Sequence, residues 1–145
     1  MQSEIYFKGP TNILSNLYII PGGLVAYENE FNTSEQLYQW RKAVENRETE
    51  IVRLILANKN PYTQLRLGKG IKTDSRWEKI KVNVMRDVLW IKLIQCVEYR
   101  QTLIESGFKP IIEDTVHEFW GRGKNNTGKN MLGCLHIELR SRIEL

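Results

Sequence analysis

The sequence predicts a helix-rich α+β domain with a small amount of sheet. Three observations support this prediction. Short β-type runs are concentrated in the first thirty residues, helical apolar spacing dominates from Thr33 onward, and a further β-type run occurs at 109–113. No repeat, linker or low-complexity segment interrupts the chain, so residues 1–145 are expected to form a single domain with its own core.

The β-type runs of the N-terminal part lie at residues 5–7, 17–20 and 24–27. Residues 21–23 are Pro-Gly-Gly, a composition that favours a tight turn. The second and third runs are therefore predicted to form a β-hairpin. The later run at 109–113 has a proline near its start, which is typical of an edge strand.

Six helices are predicted, over about 33–46, 47–57, 62–67, 76–96, 99–105 and 129–142. Thr33 and Gln36 have the spacing of a capping box, which predicts the start of the first helix. Ser75 and Glu78 have the same spacing and predict the start of the longest one. The apolar face of the last helix is formed by Leu132, Leu135 and Leu139.

Composition narrows the possible classes of protein. Hydrophobic residues make up 41% and charged residues 26%, which is ordinary for a globular protein. No apolar run approaches the roughly 18–20 residues of a membrane span, and the first residues lack a signal-peptide pattern. The net charge of +4 is compatible with a phosphorylated ligand or nucleic acid but does not require one.

Cysteine and histidine usage argues against a disulfide or a zinc site. Cys96 and Cys134 lie far apart among apolar neighbours, so both are interpreted as buried free thiols in a reducing, cytoplasmic compartment. The two histidines, His117 and His136, form no cluster with them, and no metal or cofactor is expected.

The most unusual tract is the loop at 119–130, which combines two aromatic residues, three glycines, three cations and three asparagines. Glycines allow close approach of the backbone to a ligand, and the helix that follows offers free N–H groups to an anion. Lys124 and Lys129 add positive charge, and Trp120 offers a flat surface for a base or sugar. The tract matches no phosphate-binding consensus, and a flexible basic surface loop is the alternative interpretation.

A second candidate lies on the helix that starts at Thr33. Glu35, Gln39 and Lys42 fall on one stripe of this helix. The opposite side is predicted to face the core through Leu37, Trp40 and Val44. The stripe either forms an active-site face or is an ordinary solvated surface, and helical spacing alone does not decide between them.

Other residues have simple structural interpretations. Trp77 is interpreted as core more readily than as a ligand platform, Ser15 and Asn16 as a turn, and His136 as a hydrogen-bonded core histidine. His117 and Glu118 stand just before the glycine-rich loop, where an acid suits general acid–base chemistry.

Taken together, these motifs resemble the NADAR family of YbiA-like N-glycosidases. They occur in the family's order over nearly the whole chain. The motifs are 15–18 with Pro21, 33–39 with Lys42, 67–69, 76–78 with Lys81 and Met85, and 119–133.

The resemblance implies a hydrolase that cleaves a C–N glycosidic bond of a ribose phosphate. Family members are associated with ribosylamino-pyrimidine phosphates of riboflavin synthesis and with ADP-ribose attached to guanine in nucleic acid. The second substrate is favoured here because cations cluster in the segments that the resemblance places near the pocket. These cations are Lys69, Lys72, Arg122, Lys124 and Lys129. The rival hypothesis is a binding domain for ADP-ribose or a nucleotide without turnover.

The resemblance also implies roles for individual residues. Lys42 matches the family lysine and is the expected nucleophile, with Glu35 as acid–base residue. The family commonly has Asp three residues before the Trp-Gly pair, where this chain has His117, so Glu118 is the candidate to replace that acid. The expected substrate-binding residues are Asn16, Gln39, Trp77, His117, Trp120, Gly121, Lys129 and Asn130.

Overall fold

The computed structural model describes residues 3–144 and contains six helices and four short strands in that range. The strands are β1 (Ile5–Phe7), β2 (Leu24–Ala26), β3 (Asn29–Phe31) and β4 (Ile111–Glu113). The helices are α1 (Ser34–Glu45), α2 (Thr49–Ala57), α3 (Pro61–Lys69), α4 (Ser75–Gln95), α5 (Val97–Glu105) and α6 (Met131–Ser141). The predicted helix-rich α+β class is confirmed. No helix within the described range is long and apolar enough to cross a membrane.

The strands form two separate two-stranded sheets. β1 and β4 are parallel, with Phe7 opposite Glu113, so distant parts of the chain meet at one edge. β2 and β3 form an antiparallel hairpin in which Leu24 lies opposite Phe31.

The predicted hairpin partner of β2 was wrong. Residues 17–20 form no strand, and β2 pairs instead with the segment that follows it. The connecting residues Tyr27 and Glu28 have φ of 51° and 62°, the left-handed geometry that a two-residue hairpin turn requires. Neither is glycine, so composition gave no signal for this turn.

Side-chain caps define where the two main helices begin. Thr33 Oγ1 accepts a hydrogen bond from the Gln36 N–H at 2.9 Å, which confirms the predicted start of α1. The start of α4 was misplaced by one residue. Its cap is Asp74, whose Oδ1 accepts from the N–H groups of Arg76 and Trp77 at 3.1 and 3.2 Å.

The main core lies between α1, α4, α5, α6 and the strands. The predicted face of α6 is confirmed, because Leu132, Leu135 and Leu139 are all buried. His136 is a core histidine as predicted, bonded to the Tyr99 hydroxyl at 2.6 Å and to the Leu14 carbonyl at 2.9 Å.

Two burial predictions were wrong. Cys96 is buried but Cys134 is exposed, because it lies two positions from the buried Leu132 and His136 and so points to the other side of α6. Val44 is 42% exposed; its neighbour Ala43 is buried instead, against α2 and the segment after α3.

Candidate active site

A pocket of about 440 Å³, called here the main pocket, lies among α1, α3, α4, β4 and the segment that follows β4. α1 contributes Glu35, Tyr38, Gln39 and Lys42 to its wall. The predicted stripe therefore lines a cavity and is not a solvated surface, since Glu35 and Gln39 are both buried.

Asn16 fixes the start of α1 against the loop before it. Its carbonyl accepts from the Glu35 N–H at 3.0 Å, and its side-chain Oδ1 accepts from the Ser34 hydroxyl at 3.1 Å. Its amide nitrogen donates to the sulfur of Met85 on α4 at 3.4 Å. Asn16 also lines the main pocket, so it connects the position of Glu35 to the pocket wall.

Glu35 is buried and its pKa is raised to about 7. Burial is the main cause and the nearby Glu113 adds to it, whereas the hydrogen bond from Gln39 Nε2, at 3.3 Å, acts in the opposite direction. At neutral pH this carboxyl group therefore exists in both protonation states, as a group that both gives and takes a proton must.

Lys42 projects from the next turns of the same helix, and its Nζ donates to the Gly68 carbonyl at 3.0 Å. Burial lowers its pKa and Lys81 acts in the same direction, while Glu35 and Glu78 oppose the shift. A lower pKa increases the fraction of neutral amine, which is the nucleophilic form.

Gly68 on α3 allows the close packing of this face. A Cβ at this position would lie 1.8 Å from Gln39 Oε1, so any side chain would displace the amide that contacts Glu35. Gln39 Oε1 is itself buried and makes no hydrogen bond within residues 3–144. α3 thus positions two members of the α1 stripe.

Glu113 at the end of β4 is a pocket residue that the sequence analysis missed. It lines the main pocket, accepts from Thr115 Oγ1 at 3.1 Å, and has a pKa raised by burial. No local motif marks it; only the parallel pairing of β1 with β4 brings this strand end beside α1. The pocket therefore holds Glu113 as well as Glu35 and Glu78, and Glu113 acts on Glu35.

Two of the predicted binding residues support Glu113 without lining the pocket. Asn130 Oδ1 accepts from the Glu113 N–H, and its Nδ2 donates to the Ile111 carbonyl, both at 2.9 Å. Gly121 leaves room for the same carboxylate, since a Cβ there would lie 2.2 Å from Thr115 Oγ1 and 2.9 Å from Glu113 Oε2. The structure gives both residues an indirect place at the site.

Aromatic rings form one side of the pocket. Trp77 is buried in the core, as its structural interpretation predicted, and also lines the pocket. Tyr38 packs between Trp77 and Trp120, with ring centroids 5.8 and 5.7 Å away. His117 also lines the pocket.

Glu118 and Lys129 were expected at the substrate, but neither lines the pocket. The Glu118 carboxylate accepts from Thr127 Oγ1 at 3.0 Å and from the Lys124 N–H at 3.4 Å. It therefore closes the glycine-rich loop onto itself. Lys129 Nζ lies 5.6 Å from the centre of the Phe119 ring. The loop at 121–128 is adjacent to the site through Trp120 but supplies none of its lining residues.

The cations of the pocket also differ from those expected. Of the five predicted, only Lys69 lines the main pocket, together with Lys8, Lys42 and Lys81. Arg122 forms a salt bridge with Asp114 at 2.9 Å, and Lys72 lines a neighbouring cavity. No group of His, Cys, Asp and Glu suited to holding a metal ion is found in the described part of the chain.

The family model described as NADAR domain matches residues 6–144. This chain belongs to the NADAR family. The N-glycosidase YbiA of Shigella flexneri serotype 5b is 32% identical over 120 residues, covering 81% of this chain and 73% of that protein. The riboflavin biosynthesis protein PYRR of Zea mays is 32% identical, covering 77% of this chain but only 19% of its own length.

A solved structure has the same fold. The NMR structure of YbiA from Escherichia coli aligns with a TM-score of 0.80 and 28% identity, covering 98% of this chain and 86% of that protein. The family and the fold predicted from the ordered motifs are both confirmed.

Proposed function

We propose that this NADAR chain is an N-glycosidase that hydrolyses the C–N bond between C1 of a ribose phosphate and the amino nitrogen of a guanine-like base. The observation that carries the proposal is the presence of Glu35 and Lys42 in one pocket, with the pKa of the acid raised and that of the amine lowered. A domain that only bound nucleotide would not need this pair.

In the proposed first step, neutral Lys42 Nζ forms a bond to C1 while the bond from C1 to the base nitrogen breaks. Protonated Glu35 gives its proton to the departing nitrogen, which leaves as an amine. The carboxylate of Glu35 then removes a proton from the new C1–N group and returns it to the ring oxygen as the sugar opens. The sugar is now held on Lys42 as a Schiff base.

Water completes the cycle. It adds to C1 as the Glu35 carboxylate takes one of its protons, and collapse of the adduct releases the sugar aldehyde and the free amine of Lys42. Glu35 ends protonated and Lys42 neutral, as they began. A second route, direct attack of water assisted by Glu35, forms no bond to Lys42 and is distinguished by covalent trapping.

The preferred substrate is ADP-ribose attached to guanine in nucleic acid, and a second cavity supports this choice. Called here the adjacent cavity, it has a volume of about 490 Å³ and shares Thr73 with the main pocket. Its lining includes the cations Arg47, Lys72 and Arg76 and the carboxylates Glu45 and Asp74, and Arg76 pairs with Glu45 at 2.7 Å, which leaves Arg47 and Lys72 to face a ligand. A polyanionic substrate that extends beyond one ribose phosphate would meet these cations.

A ribosylamino-pyrimidine phosphate is the second candidate substrate, favoured by the likeness to a protein named for riboflavin biosynthesis. The bond to be broken is the same, so the pocket chemistry does not separate the two. The free thiols Cys96 and Cys134 fit a reducing compartment, and we propose that the protein acts in the cytoplasm.

Product analysis on both substrates tests the proposal. Release of ADP-ribose from a modified guanine oligonucleotide and release of ribose phosphate from the pyrimidine are measured side by side by mass spectrometry. We expect release from the oligonucleotide to fall steeply with salt and to weaken in Lys72→Ala, with Lys59→Ala as an exposed control on a loop away from both cavities. Turnover of the pyrimidine alone would reverse the substrate choice, and binding without release would favour the binding-domain hypothesis.

A further inference from the structure

His117 lines the main pocket and also caps a turn at its edge. Its Nδ1 accepts hydrogen bonds from the backbone N–H groups of Phe119 and Trp120, both at 3.2 Å. A nitrogen that accepts carries no proton, and a neutral imidazole holds its single proton on the other nitrogen. The turn therefore fixes His117 as the neutral tautomer with hydrogen on Nε2.

Neither a rotated nor a protonated ring fits this turn. Half a rotation would put Cδ2 where Nδ1 stands, and protonation would put a hydrogen there; in both cases two N–H groups would lose their acceptor. Burial lowers the pKa of His117, Lys69 and Lys81 lower it further, and Glu118 opposes them. Charge and hydrogen bonding thus favour the same neutral form.

The Nε2–H group is left for a ligand. It makes no hydrogen bond to any of residues 3–144, although its side chain lines the pocket. Lys69 and Lys81 line the same pocket and act on this ring, and Lys81 Nζ also pairs with Glu78 at 2.5 Å. One neutral donor beside two cations matches an anionic oxygen of a phosphate group.

We propose that His117 is a specificity residue, which donates its Nε2–H to a phosphate oxygen of the substrate while its Nδ1 holds the turn that carries Trp120. The inference rests on the proposed function, since it identifies the phosphate of that substrate as the group recognised. The contrary view is that His117 only caps the turn.

Two substitutions separate these roles. His117→Asn places an amide oxygen where Nδ1 stands and keeps the cap, but has no donor at the place of Nε2. His117→Gln has a side-chain N–H donor near the place of Nε2 but no acceptor where Nδ1 stands. Equilibrium binding of ribose 5-phosphate and of ribose is measured for wild type and both variants. Thermal unfolding of the same proteins reports whether the cap of the turn is kept.

We expect wild type to prefer ribose 5-phosphate over ribose. His117→Asn should lose about tenfold in affinity for the phosphate with ribose binding unchanged, whereas His117→Gln should stay within about threefold for the phosphate and unfold at a lower temperature. Unchanged phosphate affinity in His117→Asn, or equal losses for ribose and ribose 5-phosphate in that variant, would overturn the inference. So would a wild type without phosphate preference, even if Lys42-dependent product release is intact.

This binding measurement is independent of turnover, so its failure is distinct from failure of the proposed reaction. A wild type that prefers phosphate through His117 but releases no product would support the role of His117 and contradict the proposed hydrolase activity. Nitrogen NMR of the histidine rings gives a direct signature. We expect Nε2 to carry the proton of His117 at pH 7, and a proton on Nδ1 would contradict the inference.

Discussion

Lys42, which is half-buried, and Lys92, which is fully buried, are two lysines in contrasting surroundings. Burial lowers the pKa of both, in Lys92 to about 7. Lys42 reaches a pocket that it shares with three carboxyl groups, Glu35, Glu78 and Glu113. Lys92 is completely enclosed, with its Nζ donating to the Ile13 carbonyl at 2.6 Å and lying 4.7 Å from the centre of the Tyr99 ring.

The enclosed lysine belongs to a structural network. Lys92 holds the Ile13 carbonyl and His136 holds the adjacent Leu14 carbonyl, so both fix the chain just before Asn16. Burial and the nearby Lys92 together lower the pKa of His136 to about 3, against the opposing effect of the hydrogen bond to the Leu14 carbonyl. A strongly shifted pKa therefore does not identify a catalytic group by itself; access to a pocket and a partner that exchanges protons are also required.

The largest expected effect separates the two lysines by activity. Lys42→Ala should lower the rate of product release at least about 1000-fold, because the nucleophile is lost, while the folding of α1 is preserved. Lys92→Met should retain activity within about threefold. Both are checked by product release and circular dichroism. Equal losses of activity in two well-folded variants would mean that Lys42 and Lys92 do not differ in their contribution to the reaction.

The second prediction concerns stability at alkaline pH. Lys92 has a pKa of about 7 in the folded protein against the ordinary lysine value of 10.5, so between these pH values the unfolded chain binds more protons. The free energy of unfolding of wild type should therefore rise with pH across this window relative to Lys92→Met, by up to about 5 kcal/mol. Urea unfolding at several pH values measures it, and parallel pH profiles would contradict the enclosed state of this amine.

The third prediction concerns Glu35, whose effect on the pH dependence of stability has the opposite sign to that of Lys92. Its pKa is about 7 in the folded protein against the ordinary glutamate value of 4.5, so the folded state binds more protons between these pH values. This group therefore lowers stability as pH rises through that window. Glu35→Gln should be more stable than wild type above pH 7 by up to about 3 kcal/mol, yet lose about 100-fold or more in rate.

A matched control for Glu35→Gln is Glu50→Gln, which removes a surface carboxylate paired with Arg53. We expect this control to change stability by no more than about 1 kcal/mol and to leave the rate unchanged. A Glu35 variant that behaves like the control would mean that Glu35 is neither strained by burial nor part of the reaction.

The sequence predicted those parts of the site that are local in the chain. Glu35, Gln39 and Lys42 lie on one helix, so helical geometry alone is sufficient to predict that they share one face. Glu113 was not predicted, because its position depends on strand pairing between distant segments. The hairpin failed for a related reason, since Tyr27 and Glu28 adopt left-handed geometry without glycine.

The glycine-rich loop shows the limit of composition. Its cations and glycines resembled a phosphate cradle, but the Glu118 carboxylate binds within the loop and Arg122 pairs with Asp114. Composition does not reveal which charges are already paired. Ordered family motifs were more informative, because they depend on the whole chain and not on one segment.

The most direct test of covalent catalysis by Lys42 is reductive trapping with the proposed substrate. Borohydride is added during turnover, and the modified peptide is located by mass spectrometry, with Lys92 as an internal control. We expect a ribose-derived adduct on Lys42, none on Lys92, and none in Lys42→Ala. Full turnover without any adduct, or an adduct on a lysine outside the main pocket, would contradict a covalent role for Lys42.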